Sequence, residues 1–188
     1  MTTILRPATP DDAIDMAKLA DIAAEGLPSS IWATMGSAQE SALDVGARIA
    51  AKSDGTFSWR NATIATVDGE TAGMMISYVT ASEEEPLSED MHPSLRPLVV
   101  LENQALETRY VSLLATFQEF RCKGIAHILM AEAEKSPGKN GMSLITTDKN
   151  VTGRKLYASM GYREVAQAPV IKTNWDTACD NWYLLCKP

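Results

Sequence analysis

Apolar residues recur along this chain at two different spacings. The opening stretch TILRPATPDD reads as a short strand that stops at proline and turns into a helix start. Thr9 can cap, Pro10 suits the first helical position, and Asp12 three residues on completes a box-like pair. Met16, Ala20, Ala23 and Leu27 then recur at helical spacing and mark a stripe that faces a core, with fraying expected at EGLPSS. A second amphipathic helix is predicted from about Ser37 to Lys52, with Leu43, Ala47 and Ala50 on one side. The period then changes. NATIATVDGETAGMMISYV holds two β-rich runs around Asp68-Gly69, a hairpin turn signal, and Ile64, Thr66, Met74, Ile76 and Tyr78 suggest alternation in an antiparallel pair.

An acidic, proline-bearing stretch follows, with Glu83, Glu84, Glu85, Glu89 and Asp90, and reads as an exposed loop. Its length inside a compact domain suggests a place near a substrate mouth. Ser94 to Ala105 can form a short helix with Leu95, Leu98, Val99 and Leu101 inward. Beyond it the pattern predicts a strand over Tyr110 to Thr116, a helix over Gly124 to Lys135 and a strand at MSLITTD. A helix from Asn150 to Met160, stopped by Gly161, and strands in YREVAQAPVI and DNWYLLCKP complete the chain. Leaving the short helix aside, the order is β, α, α, β, β, β, α, β, α, β, β. That predicts a mixed α/β (α+β) architecture of helices on one twisted sheet, not a uniform doubly wound fold.

Composition narrows the class. The 188 residues suit one domain, and a net charge of −7 argues against a general nucleic-acid binder. Cys122, Cys179 and Cys186 are too few and oddly numbered for a disulfide framework and lack metal-ligand spacing, so no metal is expected. No apolar run approaches the ~20 residues of a membrane span, and MTTILRPATPDD lacks a cleavable signal pattern. The expectation is a reduced, cytoplasmic protein that acts on neither membranes nor nucleic acids. Trp32, Trp59, Trp175 and Trp182 do not cluster in sequence and read as core or interface anchors.

Two stretches carry chemistry. In YVSLLATFQEFRCKGIA an apolar strand runs into a helix through Arg121, Lys123 and Gly124. A helix N-terminus points unpaired amides outward, glycine removes bulk, and the two cations add charge, so the loop suits a pyrophosphate. It is neither a P-loop nor a dinucleotide fingerprint. On its own, Gly124 is as readily a simple turn residue with solvated cations beside it. In NVTGRKLYASMGY, Asn150 and Tyr157 differ by seven and share a helix face, so an amide and a phenol could converge on one ligand; each is equally at home as a cap and a core residue.

Taken together, in this order and separated by a strand, the two stretches resemble the GNAT superfamily of N-acetyltransferases. The family pattern runs from an apolar strand to Arg or Gln, two residues, Gly, one residue, and Gly or Ala; here Arg121, Gly124 and Ala126 stand at those positions. The later family stretch appears as Asn150, Gly153, Leu156, Tyr157, Gly161 and Tyr162, and ILRPATPDD is similar to the usual opening. The resemblance covers essentially all of residues 1–188, as a single acetyltransferase domain, and implies a mostly antiparallel twisted sheet with splayed central strands flanked by helices. It further implies transfer of acetyl from acetyl-CoA, as co-substrate, to a primary amine of a small molecule or peptide. The alternative is a non-catalytic acyl-CoA sensor or interaction module on the same fold. Homodimerisation is common in the superfamily, and the final strands offer an edge for it.

Residue by residue, the resemblance puts the pyrophosphate on the amides of Cys122, Lys123, Gly124, Ile125, Ala126 and His127, with Arg121 as a further cofactor-binding residue. It pairs the pantetheine arm with Leu114, Ala115 and Thr116 on the fourth strand and adds a contact from Asn150. Tyr157 matches the general acid for the departing thiolate. A strand amide near Thr116 could donate to the oxyanion. For the base that deprotonates the amine, Glu102, Glu107 and His92 lie upstream of the fourth strand; Glu107 is nearest and is the candidate. Cys122, Gln118 and Gly153 depart from the family pattern without removing a group the transfer needs. The acidic stretch suggests a cationic acceptor.

Overall fold

A computed structural model describes residues 2–188. By internal contacts the chain divides into two units, Met1–Ser77 with Ser112–Glu132, and Tyr78–Val111 with Ala133–Pro188. The fold is mixed α/β, as the element order predicts, and no helix of the described residues is long and apolar enough to cross a membrane.

In the first unit, strand β1 (Thr3–Pro7) pairs antiparallel with β2 (Ala62–Val67). Helices α1 (Ala13–Ala23), α2 (Leu27–Trp32) and α3 (Ala42–Ala50) lie between them in sequence. The start of α1 follows the sequence signal: Thr9 is extended, Pro10–Asp12 forms one 3-10 turn, and the Thr9 N–H donates to Asp12 Oδ2 at 2.7 Å. A partner from outside the motif completes it. Arg6 on β1 grips Asp12 with both guanidinium arms, at 2.8 and 2.6 Å, and Asp12 is only 8% exposed. A buried carboxylate needs such pairing, so this contact bolts the first strand to the first helix.

EGLPSS does not fray. Glu25 and Gly26 take φ of 53° and 86°, which ends α1 and lets α2 start at Leu27, with the Ser29 N–H donating to Asp21 at 3.0 Å. Helix α3 begins at Ala42, later than Ser37, because Ser41 and Asp44 form a reciprocal capping box there. Its buried residues are Val45, Gly46 and Ala50, while Leu43 and Ala47 are half-buried. The shift follows from Trp32: a Cβ on Gly46 would lie 2.4 Å from its ring, so only glycine can face it.

Strand β3 (Glu70–Val79) returns from β2 through Asp68 and Gly69, both at positive φ, as the hairpin signal predicts. The expected alternation is lost, since Ala72 to Ile76 are all buried and a bulge falls at Ala65/Thr66. A strand covered on both faces reads as a continuous apolar run. Helix α5 (Ile125–Ala133) belongs to the same unit and buries Ile125, Leu129 and Met130.

In the second unit, helix α4 (Arg96–Glu102) follows a 3-10 turn at Pro93–Leu95 and is shorter than the Ser94 to Ala105 expected. It packs on β5 (Met142–Thr147), β6 (Arg163–Pro169) and β7 (Asn181–Lys187). Residues 81–90 are all exposed. β7 pairs antiparallel with both β5 and β6, and helix α6 (Val151–Ser159) ends at Gly161, φ 93°. Trp175 and Trp182 stack at 5.8 Å. With β4 (Arg109–Thr116), the strands hydrogen-bond in the order β1-β2-β3-β4-β5-β7-β6.

Asp12→Ala should destabilise the protein by about 2 kcal/mol in chemical denaturation at pH 7, by loss of a cap and a largely buried ion pair. The Arg6 hydrogen bond, with those from Thr9, holds the Asp12 carboxyl below its ordinary value. Its stabilisation is therefore present above the unfolded value and lost as pH falls, so wild type and variant should converge under strong acid. A constant gap across pH would contradict this.

Candidate active site

The first unit holds the loop that the sequence singles out between β4 and α5. On β3, a Cβ at Gly73 would sit 2.7 Å from the Ala115 carbonyl and 3.3 Å from Thr116 Oγ1, so glycine lets the two strands close here. The Phe117 N–H donates to Ala72 O at 2.9 Å. A 3-10 turn, Gln118–Phe120, follows, and Arg121 Nε donates back to Thr116 O at 3.3 Å.

Two residues then reverse the backbone hand: Cys122 at φ 59° and Gly124 at φ 79°. Such alternation turns successive N–H groups toward one side and makes an anion-binding nest. Among the described residues, none of the backbone N–H groups of Cys122, Lys123, Gly124, Ile125, Ala126 and His127 donates to the protein. The last three also open α5, where such groups are orphaned by geometry. A Cβ on Gly124 would meet nothing within 4 Å, so glycine serves torsion and open approach there, not packing. Arg121, Cys122, Lys123 and His127 are exposed, Ile125 is buried, and Lys123 Nζ lies 5.1 Å over the Phe120 ring. Leu114, Ala115 and Thr116 therefore share one unit with the loop.

The edge of β4 changes partway along. Its parallel ladder with β5 comprises Arg109 with Met142, Tyr110 with Ser143, and Val111 with Leu144. It stops there, although β4 continues to Thr116.

The second unit holds Asn150, Tyr157 and Glu107. Asn150 caps α6: Oδ1 accepts from the Gly153 N–H and Nδ2 donates to Thr146 Oγ1, each at 3.0 Å. Gly153 is matched to this cap, because a Cβ there would fall 2.4 Å from Asn150 Nδ2. Its helix-propensity cost thus has a steric reason. Tyr157 is buried, edge-on to Tyr162 at 6.2 Å, and burial pushes its phenol up to about 12. Glu107 precedes β4, takes φ 56°, and is paired with Lys139 at 2.8 Å.

Glu102, the other glutamate upstream of β4, has a different setting. It ends α4 half-buried, and its Oε2 accepts from the Tyr78 hydroxyl at 3.3 Å. Burial pushes its carboxyl up to about 7, opposed by hydrogen bonds from Tyr78 and Tyr110 and reinforced by the Glu85 charge. Tyr78 and Tyr110 meet edge-on at 5.6 Å. A signal was available: Glu102 falls at the i+7 position of the stripe begun by Leu95 and Leu98, a carboxylate where an apolar residue belongs. Below it, Thr80 and Thr108 hydroxyls both donate to the Ala105 carbonyl, at 2.8 and 2.7 Å, and Thr108 Oγ1 lies 2.6 Å from Ser143 Oγ.

Residues 98–176 match the family model described as an acetyltransferase (GNAT) domain. Among solved structures, the chain is similar to an N-acetyltransferase from Staphylococcus aureus Mu50, at 19% identity and a TM-score of 0.65 over 97% of this chain and 98% of that one. It is also similar to Ard1 from Thermoplasma volcanium, at 14% identity and a TM-score of 0.57 over 100% and 97% of the two chains. Arabidopsis thaliana NAA60 in complex with a bisubstrate analogue gives 18% and 0.56 over 98% and 97%. At such identities the likeness is one of fold. No curated protein matches the sequence.

The raised Glu102 carboxyl has a cost in stability. Its folded value lies above its ordinary 4.5, so the penalty for ionising it begins as pH rises through that value and is complete above about 7. Glu102→Gln should therefore gain on the order of 2 kcal/mol at pH 8 and nothing at pH 4, read from denaturation at both. Equal stability at pH 8 would show that Glu102 carries no such strain.

Proposed function

We propose that this chain, whose residues 98–176 match the family model of a GNAT acetyltransferase domain, moves the acetyl group of acetyl-CoA directly to a primary amine of a small molecule or peptide. The observation that carries this reading is the set of six unpartnered amides from Cys122 to His127, gathered by two positive-φ residues at the mouth of α5. Backbone amides at a helix N-terminus suit a pyrophosphate, and the exposed Arg121 and Lys123 add charge beside it. The edge of β4 at Leu114, Ala115 and Thr116, beyond the end of its ladder with β5, supports strand-like pairing with the amides of the pantetheine arm.

Asn150 engages one N–H and one lone pair in capping. Its amide retains one donor and one acceptor. Tyr157 enters as a neutral donor. At about 12 its phenol stays protonated over the working range. It is also a weaker acid than a free phenol, so its contribution is a hydrogen bond that strengthens as charge grows on the departing sulfur. The amine lone pair attacks the thioester carbon, and the C–S bond breaks with its electrons on sulfur. Holding both reactants in line supplies much of the acceleration.

Acetyl-CoA titrated into the wild type by calorimetry should bind saturably at one to one, and Gly124→Asp, which sets a carboxylate among the amides, should abolish that binding. Binding that survives in the variant would move the pyrophosphate elsewhere. Tyr157→Phe should leave acetyl-CoA affinity within about threefold and lower kcat by about 10²-fold. An unchanged kcat would remove Tyr157 from the chemistry.

A further inference from the structure

A helix that stops at a left-handed glycine folds the chain back on its own last turn. At the end of α6 this reversal is complete. The Gly161 N–H donates to Ala158 O at 3.1 Å, and the Tyr162 N–H donates to Tyr157 O at 3.0 Å. These two bonds make a Schellman motif, which sets the residue after the glycine against the residue three before the cap. Here those residues are Tyr162 and Tyr157. The Tyr162 ring, in a residue only 3% exposed, meets the Tyr157 ring edge-on at an angle of 62°.

Tyr162 is held from its other side as well. Lys187 Nζ donates to Glu134 Oε2 at 2.7 Å, and the same ammonium lies 5.8 Å from the centre of the Tyr162 ring. Glu134 and Lys187 belong to the unit that contains α6. A Cβ on Gly161 would touch Lys187 Cε at 3.8 Å, so the lysine stem also covers the helix stop. The Tyr162 hydroxyl is buried near the Glu134 carboxylate but completes no hydrogen bond. Burial first, and then the Glu134 charge, push this phenol well above its ordinary value, so it stays neutral. What Tyr162 offers its neighbour is therefore its ring.

We propose that Tyr162 is a positioning residue, whose ring holds the Tyr157 side chain in the rotamer that aims its hydroxyl at the sulfur of CoA. The proposal rests on the reading of Tyr157 as the donor to that sulfur. A hydrogen bond weakens steeply once its donor turns out of line. The helix fixes the Tyr157 backbone, and the wall supplied by Tyr162 takes up the freedom left in the side chain. No bond forms or breaks at Tyr162. It acts only through how well the Tyr157 phenol, still protonated up to about 12, meets the charge that grows on sulfur. The reversal at Gly161 thus does two things, ending α6 and setting the wall.

The test needs no acceptor amine. The full-length chain is titrated by calorimetry with CoA and with desulfo-CoA, which lacks the thiol, at about pH 6 and about pH 9.5, on either side of the ordinary thiol value of about 8.5. The ratio of the two dissociation constants reads the contact to sulfur alone. A thiolate held by a hydrogen bond has its pKa lowered on binding, so the preference for CoA is absent below the bound value and complete above the free one. In the wild type this preference should grow about 10-fold or more between the two conditions, as a bond to a charged group implies. Tyr157→Phe should abolish the growth, and Tyr162→Leu should remove most of it. Tyr162→Phe, which keeps the ring, should retain it within about threefold, and Tyr162→Leu added to Tyr157→Phe should change nothing further. Desulfo-CoA affinity should stay within about threefold throughout. Full growth in Tyr162→Leu, equal loss in Tyr162→Phe, or a fall in desulfo-CoA affinity would overturn the proposal. If Tyr162→Leu does not fold, Gly161→Ala takes its place, since it strains the same reversal, and unchanged growth there overturns the proposal. A wild type that binds both ligands without such growth, or a Tyr157→Phe that keeps it, removes Tyr157 from the sulfur and the role of Tyr162 with it, while leaving the pyrophosphate seat. A wild type that binds neither ligand removes the acetyl-transfer reading itself.

Discussion

Three buried hydroxyls at the foot of β4 govern the geometry of the second unit. Thr80, Thr108 and Ser143 converge with the Ala105 carbonyl and leave none of these polar groups unpaired. The Thr108 N–H closes the cluster on Thr80 Oγ1 at 3.0 Å. Their positions are 28 and 35 residues apart in sequence, so the cluster fixes the end of β3, the turn out of α4, and the start of the β4–β5 ladder together. A half-satisfied version would cost more than an apolar core, which is why such clusters hold one arrangement. The direction in which Glu102 leaves α4 depends on that turn.

The two units handle charge in different ways. In the loop before α5 the proposed anion seat is made of backbone groups, and the side chains of Arg121 and Lys123 remain in solvent. At the end of α4 the charge belongs to a side chain withdrawn from water, and its protonation is set by two phenols and one neighbouring carboxylate. The first arrangement holds a fixed charge steady, and the second makes a charge easy to change.

Features written in adjacent residues were legible in the sequence. Thr9-Pro10-Asp12, Asp68-Gly69 and the Gly161 stop follow from torsions and caps that span three or four positions, and the order of elements along the chain follows with them. So does the glycine at the mouth of α5. Partnerships across long separations were not legible. Arg6 with Asp12 needs β1 to lie beside α1, Gly46 is explained only by the Trp32 ring, and Tyr78 meets Glu102 across 24 residues. Asn150 shows the intermediate case: the capping alternative was visible in the sequence, and the structure supplies the cap through Gly153 together with a bond to Thr146 that the sequence did not reveal. Periodicity marks which face turns inward but cannot tell what waits there, as Leu43 and Ala47 illustrate.

The loop at Cys122 and Gly124 has a consequence for how such sites persist. What the proposed cradle requires of the backbone is a pair of signs, positive at two positions with one residue between them. Glycine, asparagine or aspartate tolerate that sign more readily than cysteine does. The site can therefore drift through many spellings without losing its shape, and its ancestry is better preserved as a sequence of torsions than as a sequence of letters.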